Sequence, residues 1–258
     1  MRIVVLVCCL LMVPSVIARP LLVAVAANFA GPLEQLVQHY EQQTGETIQV
    51  SVASSGALYA QLLHGAPFDV FLSADAARVD ALIAQQRVVQ HDTAIYATGQ
   101  LALAVRTTQP DSVEQSLQFL YQPRVSVAIA NPAVAPYGKA AQQVIDAMGL
   151  NDTLRGRLVT AANVQQVRQF LVSGAVDAAF LSLAQAKVQP LSSKAVSQDI
   201  RIYPIPSSLH QPIIQKLAVT APADRYAAAR RFADFLLSED GQAMIAQAGY
   251  LTGEHNDE

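Results

Sequence analysis

The sequence has few of the residues on which redox, metal or nucleic-acid chemistry depends. It contains no Trp and only two Cys among 258 residues, and charged residues make up 14%. Both cysteines, Cys8 and Cys9, lie in the first apolar run, so a chain without that run carries no thiol or cysteine metal site. The 17 basic and 20 acidic residues nearly balance and form no basic block, which argues against a nucleic-acid partner.

Motifs of common enzymes and metal sites are also missing. The five histidines, at positions 39, 64, 91, 210 and 255, show no HExxH or other paired metal spacing. No G-x-S-x-G elbow, P-loop or dinucleotide glycine fingerprint occurs in its required context. Asp69 and Asp75 flank a predicted strand, a spacing that favours structural roles, with Asp75 capping the next helix. We therefore expect a binding protein rather than an enzyme, with no cofactor.

The amino terminus has the pattern of a secretory signal peptide. Arg2 supplies a positive charge, residues 3–13 form an apolar core, and residues 16–18 form a small-residue cleavage pattern. A membrane helix is the alternative, but the apolar run is too short and Pro14 interrupts it. We predict that residues 1–18 are removed and that the mature protein is periplasmic.

The rest of the chain alternates short β-rich apolar runs with helical patterns, which is typical of parallel βαβ units and predicts an α/β fold. A helical tail is predicted for residues 223–248. Strands are predicted at residues 21–27, 47–53, 69–74, 101–105, 125–130, 176–181, 200–205 and 216–220.

No single linear boundary divides the chain, because the loops are short throughout. A chain that crosses twice between two α/β lobes fits this pattern better than two consecutive domains. The crossings are predicted near residues 98–105 and 210–218. We therefore expect lobe 1 to comprise residues 19–100 and 216–258, and lobe 2 to comprise residues 101–215.

The predicted helix starts are the candidate binding elements. Ser54 and Ser55 join a predicted strand to a helix, where free N–H groups and the positive end of the helix dipole favour an anion. A serine N-cap is the alternative explanation. Asn28, Tyr137 and Val164 stand at three further helix starts, and together the four predict an oxyanion receptor.

Several runs resemble the periplasmic molybdate-binding proteins of ABC importers. The resemblance covers essentially the whole mature chain, and its most specific part is the GAPFDVFLSAD stretch at residues 65–75. The matching runs are residues 24–29, 53–58, 65–75, 131–132 with 136–141, and 163–164.

This resemblance implies a type II periplasmic-binding-protein fold, whose two lobes are joined by a two-crossover hinge and close on a tetrahedral dianion. It implies that Asn28 contributes a side-chain donor and Ser55 a hydroxyl, whereas Tyr137 and Val164 contribute main-chain N–H groups, with Ala27 as a further candidate. The resemblance further implies that the anion is molybdate or tungstate and that no protein atom ligates the metal directly. The sequence departs from the common pattern at Asn28, which replaces a serine, and at Leu181, where many members place a tyrosine ligand.

Other functions stay open at this point. A receptor for sulfate or phosphate shares the same features, whereas an organic-acid receptor would require an Arg clamp that none of the four starts carries. A small hydrolase using Ser55 is the enzyme alternative. A cytosolic effector-sensing domain would lack the leader. The expected partners are the oxyanion and the membrane permease of an ABC importer, and we expect a monomer.

Overall fold

The computed structural model of the protein describes residues 19–106, 110–188 and 200–252. The predicted signal peptide, with Cys8 and Cys9, therefore lies outside the described residues. The strands are β1 (Leu21–Ala26), β2 (Ile48–Ala53), β3 (Val70–Ser73), β4 (Thr93–Gly99), β5 (Leu101–Val105), β6 (Val127–Ala130), β7 (Leu158–Ala161), β8 (Ala178–Ser182), β9 (Arg201–Pro204) and β10 (Ile213–Val219). The helices are α1 (Ala30–Thr44), α2 (Ser55–Leu63), α3 (Ala76–Ala84), α4 (Val113–Phe119), α5 (Pro136–Ala147), α6 (Val164–Ser173), α7 (Leu183–Val188), α8 (Tyr226–Leu237) and α9 (Glu239–Gln247).

The strands form two five-stranded sheets with the same pattern of directions. The first has the order β2-β1-β3-β10-β4, with β1 parallel to β2 and β3, and β10 antiparallel to its neighbours. The second has the order β7-β6-β8-β5-β9, with β6 parallel to β7 and β8, and β5 antiparallel to its neighbours. Each sheet thus brings the carboxyl ends of its parallel strands, and the helix starts that follow them, to one edge.

Burial explains why some strands are easily seen in the sequence. Strands β3, β5, β6 and β8 are buried at every position, which matches their continuous apolar runs. The edge strand β2 has no fully buried residue, and its Gln49, Val50 and Val52 are exposed. Helices cover the sheets, and within the described ranges no helix has both the length and the apolar character needed to cross a membrane.

The chain passes between the sheets twice. Only Gln100 separates β4 in the first sheet from β5 in the second, and residues 205–212 connect β9 back to β10. Residues 213–215 belong to β10 and pair with β4, so the return to the first sheet comes three residues before the predicted boundary at 216. We propose that each sheet and its helices form one lobe, with lobe 1 resuming at Ile213.

Several elements differ from the expectation. The predicted helical tail is two helices, α8 and α9, because Ser238 adopts an extended conformation between them and caps α9. Helix α2 starts at Ser55, two residues earlier than predicted, and Asp75 caps α3 through Arg78 N–H, as predicted. The strands β4 and β7 and the short helices α4 and α7 were not predicted.

Candidate functional site

The four predicted helix starts all follow parallel strands. Asn28 follows β1 and Ser55 follows β2, both in the first sheet. Tyr137 follows β6 and Val164 follows β7, both in the second sheet. The edges of the two sheets face each other, so residues distant in the chain come together between them.

All four residues line one small pocket. Its empty volume is about 200 Å³, part of it open to solvent, and both sheets contribute to its walls. No Asp, Glu, Lys, Arg or His lines it, so its polarity comes from main-chain groups and neutral side chains. The lining residues are Ala26, Ala27, Asn28, Ser54, Ser55, Ala74, Ala135, Pro136, Tyr137, Asn163 and Val164.

Ser55 is the first residue of α2 and has no exposed surface. Its Oγ accepts the N–H of Ala74 at 2.9 Å, which leaves the hydroxyl proton free to donate. Ser54 takes the capping role, because its Oγ accepts the N–H of Ala57 at 3.4 Å. The capping alternative therefore applies to Ser54, and Ser55 is left to offer a donor to the pocket.

In the second lobe, main-chain N–H groups are the available donors. Tyr137 is the second residue of α5, behind Pro136, and Val164 is the first residue of α6, behind the cap Asn163. Among the described residues, neither N–H has an acceptor in the protein. Unpaired N–H groups at a helix start point along the helix axis toward its amino-terminal end, which suits an anion there.

Asn28 differs from the expectation. Its Nδ2 donates to Gln215 Oε1 at 2.9 Å and to the hydroxyl of Tyr250 at 3.1 Å, so both N–H bonds of the side chain are used inside the protein. Its main-chain N–H, in contrast, has no acceptor among the described residues. What Asn28 offers the pocket is therefore its main-chain N–H.

Ala27, the further candidate, has no donor to offer. Its N–H donates to Ala53 O at 2.9 Å, and its carbonyl accepts from Gln185 Nε2 at 2.8 Å. Ala27 forms part of the pocket wall. Leu181, where the sequence lacks an expected tyrosine, is wholly buried in the core of the second lobe and does not line the pocket.

A buried polar cluster lies behind the pocket, beside the two crossings. Gln215 Oε1 accepts from the hydroxyl of Tyr96 at 2.9 Å as well as from Asn28, and Gln215 Nε2 donates to the hydroxyl of Tyr137 at 3.4 Å. Burial raises the pKa of Tyr96, Tyr137 and Tyr250 above the usual value, so these phenols stay protonated at neutral pH. The side chain of Tyr137 thus points into this cluster.

Direct contacts hold the lobes together at the pocket. The N–H of Gly56 donates to Val134 O at 2.9 Å, and Arg78 Nη2 donates to Ala133 O at 3.2 Å. Each bond joins a helix start of lobe 1 to the loop before α5. The structure is therefore a closed arrangement of the two lobes.

A larger opening adjoins the pocket, with an empty volume of about 950 Å³, part of it solvent. It shares the lining residues Ala74 and Pro136 with the small pocket and also draws on both lobes. Its basic side chains are Arg78, which is paired with Asp75, and Lys139, which is exposed and has no ion pair among the described residues. This opening is the accessible side of the cleft.

The remaining acidic candidate has a structural role. Asp69 is buried and bonded to Arg225, with Oδ1 accepting from Nε at 2.7 Å, and its Oδ2 accepts the N–H of Leu22 at 2.7 Å. Among the described residues, no group of three or more His, Cys, Asp or Glu side chains is placed to hold a metal ion. Gln215 was missed by the sequence analysis, and its only signal in the sequence is a glutamine that interrupts the apolar run of β10.

Comparisons with known proteins agree with this geometry. Residues 21–251 match the family described as bacterial extracellular solute-binding protein. The molybdate-binding protein ModA of Rhodobacter capsulatus is 32% identical over 235 residues, covering 91% of this chain and 89% of the relative. A putative ABC transporter substrate-binding lipoprotein of Bacillus subtilis is 25% identical over 231 residues, covering 89% and 85%.

A solved structure shows the same fold. The periplasmic molybdate-binding protein of Azotobacter vinelandii aligns with a TM-score of 0.81 and 33% identity, covering 91% of this chain and all of that one. The predicted two-lobed α/β fold is confirmed by this match.

Proposed function

The chain belongs to the family of bacterial extracellular solute-binding proteins, and from that premise we propose that it captures molybdate or tungstate between its lobes. The lobes would then deliver the anion to the membrane permease of an ABC importer. The names of the relatives at 32% and 33% identity support molybdate as the ligand. Tungstate is included because it is nearly the same size and shape.

One observation carries the proposal: four chain segments, two from each sheet, direct neutral donors at a single pocket that no charged residue lines. The proposed donors are the N–H groups of Asn28, Tyr137 and Val164 and the hydroxyl of Ser55. Each charge-assisted hydrogen bond contributes about 1.5–3 kcal/mol. Several together, less the costs of desolvation and closure, are compatible with a dissociation constant of about 1 μM or lower.

A pocket of donors also explains selectivity. Donors fixed in place for a large tetrahedral anion cannot all reach a smaller one, which disfavours sulfate. A protonated anion such as hydrogen phosphate needs an acceptor for its O–H, and the pocket offers donors instead. We therefore rank molybdate and tungstate above sulfate and phosphate.

The hydrolase alternative lacks its general base. A nucleophilic serine needs a neighbouring base to take its proton, and Ser55 Oγ bonds only to the Ala74 N–H among the described residues. The pocket lining includes no His, Asp, Glu or Lys. We propose a transport protein without catalytic activity, monomeric and exported to the periplasm by residues 1–18.

Calorimetric titration of the mature protein with molybdate, tungstate, sulfate and phosphate tests the proposal. We expect one-to-one binding of the first two, at least a hundred-fold weaker binding of the others, and a melting temperature that rises with bound ligand. Sulfate or phosphate binding as tightly as molybdate would contradict the ligand assignment. Hydrolysis of ester substrates, lost in Ser55→Ala, would support the enzyme alternative instead.

A further inference from the structure

Gln215, in the buried cluster, bonds through its side chain to a pocket residue of each lobe. It accepts from Asn28 Nδ2 at 2.9 Å in lobe 1 and donates to the hydroxyl of Tyr137 at 3.4 Å in lobe 2. It has no exposed surface, so these bonds form away from water. Neither bond uses the main-chain N–H that Asn28 or Tyr137 presents to the pocket.

The location of Gln215 suits a role at the hinge. It lies in β10 opposite Ala97 of β4, so it sits beside both points where the chain passes between the sheets. The ladder between β10 and β4 changes register between Gln215 and Lys216, an irregularity of the kind that redirects side chains along a strand.

Gly99, the last residue before the first crossing, leaves the space that this contact needs. A Cβ built on Gly99 would lie 2.1 Å from the Tyr137 hydroxyl oxygen and 3.0 Å from Gln215 Nε2. Any side chain at position 99 would therefore displace the phenol. Glycine at position 99 thus leaves room at the hinge for the contact between Tyr137 and Gln215.

We propose that Gln215 is a positioning residue that fixes the anion-binding N–H groups of Asn28 and Tyr137 relative to each other. The proposal rests on the function proposed above and adds a residue that touches no ligand. Because Asn28 and Tyr137 use their side chains as anchors, their main-chain N–H groups are pre-organised for the anion. Pre-organisation lowers the cost of closing around a ligand.

The first test replaces Gln215 with a side chain of similar length that forms no hydrogen bonds. Gln215→Met should weaken molybdate binding roughly ten-fold or more, mostly through faster dissociation, because two buried donors lose their acceptor. Gln242→Met is the matched control: Gln242 is partly buried and donates to Tyr96 O and Leu236 O, but only within lobe 1. The control should leave the affinity unchanged.

A second variant reaches the same contact without altering Gln215. Gly99→Ala should displace the Tyr137 phenol and weaken binding in the same direction. The double variant of Gly99→Ala and Gln215→Met should lose less binding free energy than the sum of the two single losses, because both substitutions remove the same contact. Full additivity would show that the two residues act separately and would overturn the proposal.

A measurement without ligand separates this proposal from the choice of anion. In the ligand-free protein, hydrogen–deuterium exchange of residues 26–30 and 135–139 should rise together in Gln215→Met, and not in Gln242→Met. If the wild-type protein does not bind molybdate but the exchange result holds, the proposed ligand fails and the positioning role stands. Unchanged exchange at either segment, or equal losses of affinity in Gln215→Met and Gln242→Met, would overturn the positioning role.

Discussion

The main-chain N–H of Gly56 and the carbonyl of Val134 form a hydrogen bond of 2.9 Å that joins the two lobes beside the pocket. A Cβ built on Gly56 would lie 2.9 Å from both Cα and Cβ of Val134. The contact is therefore close enough that only glycine fits while the lobes are closed. The added Cβ would also lie 2.9 Å from Arg78 Nη2, the end of a flexible side chain of the same lobe, so the backbone of Val134 is the less yielding neighbour.

Gly56→Ala should accordingly weaken ligand binding without harming the fold. Alanine is the better helix former in α2, so the ligand-free melting temperature should stay the same or rise. Overpacking a close contact costs about 1–3 kcal/mol, so the affinity for molybdate should fall roughly five- to 150-fold. Calorimetry and thermal melts measure the two effects. An unchanged affinity would show that the bound state does not use the Gly56–Val134 contact.

Ser55→Ala tests the proposed side-chain donor. The substitution leaves one anion oxygen without a charge-assisted bond, so we expect a loss of about 1.5–3 kcal/mol, or roughly ten- to 150-fold in affinity. Ser116→Ala is the matched control, since Ser116 is equally buried and its Oγ donates to Val113 O at 2.6 Å in lobe 2. Tyr137→Phe should cost less than Ser55→Ala, because the Tyr137 hydroxyl bonds to Gln215 at 3.4 Å rather than to the anion. The reverse order would refute the main-chain assignment.

Local sequence signals were enough to predict which segments meet at the pocket. Asn28 and Ser55 each follow a predicted strand and precede a predicted helix, and the carboxyl ends of parallel strands lie at one edge of a sheet. Asp75 was identified as a cap because capping depends on residues three positions away. These predictions rest on neighbours in the chain.

Side-chain directions could not be predicted in the same way. The Asn28 amide bonds to Gln215, 187 residues away, so nothing near Asn28 in the sequence indicates that it faces the hinge rather than the anion. The strand containing Gln215 was predicted to start only at residue 216, because a glutamine interrupts its apolar run. Long-range partners decide where such polar groups point.

Lys139 should speed the arrival of the anion. It is exposed at the opening beside the pocket and has no ion pair among the described residues. Lys139→Gln should lower the association rate constant a few-fold at low salt and leave dissociation unchanged. The difference should vanish near 1 M salt, where the screening length is about 3 Å.

The control for Lys139 removes one positive charge elsewhere. Arg155 is exposed and lies before β7, at the opposite end of that strand from Val164. Stopped-flow measurements across a salt series should show the effect in Lys139→Gln and not in Arg155→Gln. Equal effects in both variants would mean that total charge, rather than its position, controls the rate.

Arg225→Met should destabilise the fold without affecting the site. Asp69 is 1% exposed and would keep a buried charge with no cationic partner. Breaking a buried pair from one side costs about 3–5 kcal/mol. The affinity for molybdate should stay the same. The double variant Asp69→Asn with Arg225→Met should recover part of the stability because it removes the unpaired charge. Urea denaturation measures the stability of the single and the double variant, and a double variant less stable than Arg225→Met would contradict this explanation.

Stability should fall in strongly alkaline solution because of the phenols behind the pocket. Burial raises the pKa of Tyr96, Tyr137 and Tyr250 in the folded protein, whereas an unfolded tyrosine titrates near its usual value of about 10. Above that pH the unfolded chain binds fewer protons than the folded one, so the free energy of unfolding decreases as the pH rises. Below it, the contribution of these phenols is fully present and independent of pH.

Urea denaturation at pH 8, 9, 10 and 11 tests this expectation. The contribution of these phenols to the free energy of unfolding should be nearly constant between pH 8 and 9 and should drop between pH 10 and 11. Tyr250→Phe removes one of the three phenols and should make that drop shallower, although it also removes the hydroxyl that donates to Asn28 O at 2.9 Å. The comparison therefore uses the slope against pH rather than the stability at one pH. An equal slope in the wild-type protein and Tyr250→Phe would show that the buried phenols do not control the alkaline transition.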